Sequence, residues 1–339
     1  MKGQGSRVVS KEVGRKKSIF DIISYFLKRH REIAVLIVFL VLTWVFYSIN
    51  PLLMTSLSWS DILLVASEDG IVAVFVTLLL IGGEFDLSVG SVFVMSGMVY
   101  GMLINNGYNP YIALLISLAL SALVGLTNGL IVVFFNVSSF IETLGMEFFL
   151  EGLIFIVTGG FPIAISLSSI PYWRILSGTL YGTLNVWPLW FIALALIAYI
   201  ILENTSFGNH IFATGGSLIS AYAVGVNVRL VKIILFILSS LAAGFTGILS
   251  LTYFTSISPV EGETLPLIAL AIAVIGGSSL SGGSGTIQGT VIASLLIGLL
   301  YVGLTLAKVP SYWYIAFLGL ILIIIAISNQ KISGAKLIP

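Results

Sequence analysis

The chain has 339 residues, of which 58% are hydrophobic and only 9% charged, with a formal net charge of +1. An ordinary soluble domain carries roughly a quarter charged residues, so a water-soluble enzyme is excluded as the default reading. Cysteine is absent, which removes disulfides and thiolate metal sites without deciding the compartment.

Apolar runs long enough to cross the ~30 Å of bilayer hydrocarbon recur along the chain. They are continuously apolar rather than alternating, and this selects helices, which satisfy their own backbone, over a barrel. In chain order the spans are expected near 33–49, 62–81, 88–105, 110–134, 139–158, 187–202, 231–250, 264–278, 286–306 and 311–327. The expected fold is therefore an all-α integral membrane protein, a polytopic bundle of about ten transmembrane helices. Three regions divide it: a basic arm at 1–30, a transmembrane domain at 31–330 that includes a polar loop at 203–230, and a tail at 331–339.

Positive charge sets the orientation, because Lys and Arg favour the cytoplasmic side of short loops. Nine of the fifteen basic residues, from Lys2 to Arg31, precede the first span, which places the N-terminus in the cytoplasm. Ten spans then put Arg229, Lys232, Lys331 and Lys336 inside as well, and leave only Arg174 and Lys308 outside. The first span has no small-residue cleavage site after it and reads as an anchor that stays. Orientation and attraction to anionic lipid headgroups account for the basic arm.

Function is expected where polar or glycine-rich backbone interrupts the apolar runs. The first interruption is Gly82-Gly83-Glu84-Phe85-Asp86-Leu87-Ser88-Val89-Gly90-Ser91. Its glycines permit a tight reversal, and Asp86 or Ser88 can cap the following helix. Glu84 is expected to be exposed at the cytoplasmic interface. The second is the polar stretch from Glu203 through Gly215, Gly216 and Ser217 to Arg229, within which Ser217–Val224 is compatible with a short helix on the membrane surface that could dock a soluble partner.

The third interruption, Gly276 to Thr290, invites a phosphate-loop reading, which fails for want of a Lys after the glycines. Close helix packing through Gly285 and Gly289, four apart on one face, is expected instead. No catalytic residues are assigned. The two histidines, His30 and His210, make no His-Glu-x-x-His metal site, and no carboxylate pair or Ser-His constellation shares a bilayer depth. A chain with no engine of its own conducts passively, uses an ion gradient, or draws energy from another subunit.

Ionisable residues in hydrocarbon are costly and often line pathways. For Glu68 and Asp69, expected at the outer end of the second span, two readings stay open: a hydrogen-bonding rim for a solute, or a helix start at a wet vestibule. Glu147 and Glu151 share a face of the fifth span, with Glu142 nearby, and that face is expected to point into the bundle or toward a second subunit. Asn128, with Thr127 and Gly129, is either a packing contact or part of the pathway.

At the same three interruptions the chain closely resembles the permeases of bacterial and archaeal ribose, xylose, arabinose and galactoside ABC importers. Their Gly-Gly-Ile-Asp-Leu-Ser-Val-Gly-Ser hallmark is matched by Gly83, Asp86, Leu87, Ser88, Val89, Gly90 and Ser91, with Glu84-Phe85 departing from it. The pattern Thr-x-Phe-Gly-x-x-x-x-Ala-x-Gly-Gly-Asn is met by Thr205, Phe207, Gly208, Ala213, Gly215 and Gly216, then by Ala221, Gly225, Val226 and Val228. Near the C-terminus the family's glycine pattern is met by Gly276, Gly277, Gly282, Gly283, Gly285 and Gly289.

The resemblance implies a monosaccharide permease in a prokaryotic cell membrane, paired with a second permease copy or a paralogue. It implies cytoplasmic ATPase subunits, which carry the ATP and magnesium, and an extracytoplasmic sugar-binding protein. No cofactor and no nucleic acid are implied for this chain. The loop at 203–230 becomes the segment that docks on the ATPase. Ser217 stands where the family has Asn, and Leu218-Ile219-Ser220 replace charged residues, so docking here rests on packing more than on ion pairs. The alternatives are an ABC permease for branched amino acids or nucleosides and a gradient-driven transporter, the latter disfavoured because no internal repeat is visible.

Overall fold

The computed structural model describes residues 31–310, 312–320 and 323. The expected basic arm at 1–30 and tail at 331–339 lie outside the described residues. The chain runs through α1 (Arg31–Ile49), α2 (Ser56–Ile81), α3 (Val89–Asn105), α4 (Pro110–Phe135), α5 (Ser139–Thr158) and α6 (Trp173–Ser177). It continues through α7 (Trp187–Asn204), α8 (Ser206–Gly216), α9 (Leu218–Ala223), α10 (Val228–Phe254), α11 (Leu265–Ile275) and α12 (Ile287–Leu306). Residues 312–320 are helical and are called α13.

Six of these helices are long and apolar enough to cross a membrane: α1, α2, α4, α7, α10 and α12. The ten expected spans are not reproduced as ten full-length helices. α5 has the length but carries Glu142, Glu147 and Glu151. α3 has 17 residues, and α11, expected over 264–278, has only 11, a rise of about 16 Å that covers half the hydrocarbon. The last span, expected at 311–327, is helical at 312–320 and 323, and the rest of it lies outside the described residues.

Glycine and hydroxyl side chains pack the centre. A Cβ at Gly125 or Gly129 of α4 would stand 2.5 Å from the Phe236 carbonyl oxygen and 2.9 Å from Ile233 Cα of α10. On the other side of α10, a Cβ at Gly247 would stand 1.9 Å from the Phe93 carbonyl oxygen of α3. The backbones therefore meet directly, as small residues allow where no hydrophobic force separates helix from lipid. Buried Ser117, Ser121, Thr143, Thr246, Thr252 and Ser294 each donate to a carbonyl four residues back, so these six hydroxyls sit in the apolar core with their donors satisfied.

A small non-helical layer caps one end. β1 (Ile163–Ala164) pairs antiparallel with β4 (Ser256–Ile257), and β2 (Thr179–Tyr181) pairs with β3 (Leu184–Asn185).

Candidate functional site: two interrupted helices and a glycine junction

The first glycine motif ends α2 in a Schellman turn. The Gly83 amide donates to the Leu80 carbonyl and the Glu84 amide to the Leu79 carbonyl, at 3.0 and 3.1 Å, with Gly83 at φ +87°. The chain then climbs along α5. The amides of Phe85, Leu87 and Ser91 donate in turn to Ser139 Oγ, Thr143 Oγ1 and Glu147 Oε2, at 3.1, 3.0 and 2.9 Å. Ser139, Thr143 and Glu147 are successive four-residue steps on one face of α5, each rising about 6 Å. Two extended residues of the rising chain cover about the same distance, which matches the first step, from Phe85 to Leu87; over the second, from Leu87 to Ser91, the chain turns into α3.

The expected capping of α3 is corrected here. Ser88 sits at the cap position but its side chain makes no cap bond. Asp86 Oδ1 instead accepts from the Ser88 amide and hydroxyl, at 3.0 and 2.6 Å, and Asn128 Nδ2 of α4 donates to Ser88 Oγ at 2.8 Å. The cap on α3 comes from Glu147, whose Oε2 also accepts the Ser91 hydroxyl at 2.7 Å. A carboxylate at a helix N-terminus is favoured by the helix dipole. Glu147 and Asn128, expected among pathway candidates, are thus held in contacts with the interrupted segment.

Glu84 is buried and not exposed as expected: it forms an ion pair with Lys232 of α10. The pair ties the first turn to the helix that follows the polar stretch.

The third interruption repeats the first in geometry. Gly276 ends α11 as Gly82 ends α2; Gly277 sits at φ +100° and donates to the Val274 carbonyl, and the Ser278 amide donates to the Ala273 carbonyl, each at 3.0 Å. Both turns carry the sequence Ile-Gly-Gly, Ile81-Gly82-Gly83 and Ile275-Gly276-Gly277. A short helix-turn unit is therefore used twice, a repetition too brief to stand out in the sequence. Gly285 and Gly289 both pack closely, but not along one helix. Gly285 lies in the turn before α12, where a Cβ would stand 2.5 Å from Ser278 Oγ, and a Cβ at Gly289 would stand 1.9 Å from the Gly276 carbonyl oxygen.

The polar stretch is mostly helix, not loop. Thr205 Oγ1 caps α8 by accepting from the Gly208 amide, Ser217 Oγ caps α9 by accepting from the Ser220 amide, and Asn227 Oδ1 caps α10 by accepting from the Leu230 amide. The short helix expected at Ser217–Val224 is present as α9, with Ala221 buried and Ile219, Tyr222 and Val224 exposed. Phe207 and Ala213 pack against the core, and Gly208 lies against the Leu202 carbonyl at the end of α7. Gly225 follows α9 at φ +81°.

The last residues of α8 pack against the first Ile-Gly-Gly turn and against Gly282-Gly283, which follow the second. A Cβ at Gly215 would stand 1.8 Å from the Ile81 carbonyl oxygen and 2.7 Å from the Gly283 nitrogen. The Gly283 amide donates to that same Ile81 carbonyl at 2.8 Å, and a Cβ at Gly282 would stand 2.9 Å from Gly83 Cα. Four glycines, Gly83, Gly215, Gly282 and Gly283, thus bring three segments together through backbone alone. The start of α3 also touches the turn that leads into α11 by backbone, a Cβ at Gly262 standing 2.1 Å from the Gly90 carbonyl oxygen.

Glu68 and Asp69 occupy the middle of α2, which starts at Ser56, so the reading of a helix start is withdrawn. They line a cleft of about 510 Å³ with Asp61, Tyr301, Thr305 and Tyr314.

A bundle of apolar helices, six of them of membrane length, with the shorter α3 and α11 set against glycine turns, defines a multi-pass membrane protein. Residues 58–326 match the family model described as the permease component of the branched-chain amino acid transport system, and the chain belongs to that family of ABC importer permeases. It is 32% identical over 304 residues to the ribose import permease protein of Escherichia coli (strain K12), covering 87% of this chain and 92% of that protein. It is 29% identical over 286 residues to the ribose import permease protein of Bacillus subtilis (strain 168), covering 84% and 88%. It is 29% identical over 283 residues to the autoinducer 2 import system permease protein of Photorhabdus luminescens, covering 79% and 82%. No solved structure matches the chain.

Proposed function

We propose that the chain is the permease subunit of an ATP-driven importer of a monosaccharide, working as a pair with itself or a paralogue. Relatives named for ribose import, matched over most of both chains, support a sugar over the branched-chain amino acid of the family description. ATP and magnesium belong to a separate cytoplasmic ATPase, and an extracytoplasmic binding protein delivers the sugar. The chain contributes no covalent chemistry.

The N- and C-termini face the cytoplasm on this reading, as the basic residues favour. The segment 203–230 then lies on the ATPase side, with α9 as the docking element and Ile219, Tyr222 and Val224 as its apolar contacts. The observation that carries the mechanism is the glycine junction. Closure of the ATPase dimer displaces α8 and α9, and Gly215 and Gly216 pass that displacement to the first Ile-Gly-Gly turn and, through Gly283, to the segment that follows the second. The turns lead to α3 and α12 and end α2 and α11, so one push reorients both interrupted units and exchanges outward- for inward-facing states.

The test is to purify the chain with candidate ATPases and measure ATP hydrolysis with the sugar-loaded binding protein. Stimulation by the loaded protein is expected. Failure of any ABC ATPase to co-purify, or uptake that is insensitive to vanadate, returns the chain to the gradient-driven reading.

A further inference from the structure

The cleft beside α2 has a lining that a neutral vestibule does not need. One face of α2 contributes Leu57, Asp61, Leu64, Val65 and Glu68, with Asp69 adjoining. From Leu57 to Asp69 the cleft follows α2 for about 18 Å, from the exposed Asp61 inward to the half-buried Glu68 and Asp69. Opposite stand Tyr301 and Thr305 of α12 and Tyr314 of α13. The rings of Tyr301 and Tyr314 meet edge to face, centroids 5.5 Å apart at 86°. The Tyr314 hydroxyl oxygen is fully buried and has no hydrogen-bond partner among the described residues.

Among the described residues no Lys, Arg or His lines the cleft and Asp61, Glu68 and Asp69 have no ion-pair partner, Glu68 being met only by the Ser250 hydroxyl. Carboxylates withdrawn from water are ordinarily paired or hydrogen-bonded. The volume, about 510 Å³, falls in the range of small-molecule sites. Aromatic faces attract an ammonium group, carboxylates balance its charge, and the unpartnered Tyr314 hydroxyl suits a remaining polar group of a small polyol.

We propose that this cleft binds a solute bearing a protonated amine, so that the cargo class is an aminated monosaccharide rather than a neutral one. The cargo assignment rests on the monosaccharide permease reading; the ammonium site itself does not.

The experiment uses the full chain in lipid nanodiscs and three probes: 2-amino-2-deoxyglucose, its N-acetylated form and glucose. The amine is expected to bind at least tenfold more tightly than either neutral probe. In the isosteric double variant Glu68→Gln with Asp69→Asn the preference is expected to fall below twofold. Asp61→Asn, at the exposed mouth, perturbs no packing and is expected to cut the preference about threefold, which keeps the test decisive if the double variant does not purify. Equal affinity for the three probes, or a preference that survives these substitutions, overturns the inference. ATP-driven uptake by the assembled complex separates the two readings. Uptake of neutral sugar with no amine preference rejects the cleft and leaves the permease. An amine preference without ATP-driven sugar uptake supports the cleft and rejects the permease reading.

Discussion

The carboxylate of Glu147 holds both the amide and the hydroxyl of Ser91, at 2.9 and 2.7 Å, and so caps α3 from a neighbouring helix 56 positions along the chain. An amide deprived of its partner in the bundle interior costs about 1–3 kcal/mol. Glu147→Ala is therefore expected to lower the unfolding midpoint in detergent by several degrees. Glu147→Gln keeps an acceptor oxygen and is expected to lose less than half as much. Thermal unfolding followed by circular dichroism checks both.

Gly215 offers a sharper test of the proposed coupling. A side chain there enters the space of the Ile81 carbonyl and the Gly283 amide. Gly215→Leu is expected to abolish sugar uptake in vesicles while the protein still inserts and still binds the ATPase, and Gly208→Leu, against the Leu202 carbonyl, to do likewise. Wild-type uptake in both variants would remove α8 from the transmission path.

The ion pair between Glu84 and Lys232 is mostly buried, at 10% and 17% side-chain exposure. Removing one partner of a buried pair leaves an uncompensated charge, which costs about 3–5 kcal/mol when burial is complete. Lys232→Met is expected to destabilise by somewhat less, and the double variant Glu84→Gln with Lys232→Met to recover most of the loss. A double-mutant cycle on unfolding midpoints measures the coupling.

The contact between Gly90 and Gly262 sets how closely α3 approaches the turn that leads into α11. Gly262→Ala places a methyl group 2.1 Å from the Gly90 carbonyl oxygen. The expected outcome is normal insertion with sugar uptake reduced at least tenfold, read from radiolabelled sugar in vesicles at matched protein content.

The membrane character and most helix positions were legible because apolar length and charge distribution act over whole segments. The breaks were legible through glycine. What sequence reading missed is instructive in its causes. Ser56, Ser58, Ser60 and Asp61 hid the first turns of α2, which starts six residues before the apolar run under a cap from Thr55. Three glycines, Gly208, Gly215 and Gly216, disguised α8, whose helicity is fixed by Thr205 and by packing rather than by propensity. Glu84 read as exposed because its partner, Lys232, lies 148 positions away. The cap that Glu147 supplies to α3 was not legible, because nothing local signals the amide it satisfies.

The four glycines of the junction leave it without side chains. Elsewhere in a protein, an incoming displacement is partly absorbed as side chains change rotamer. Here peptide plane meets peptide plane, with a hydrogen bond from Gly283 to Ile81 across the gap, and there is no rotamer to give way. A shift of α8 by a fraction of an ångström must be taken up at once by the Ile81 turn and by Gly282-Gly283, so this end of the bundle behaves as a stiff linkage.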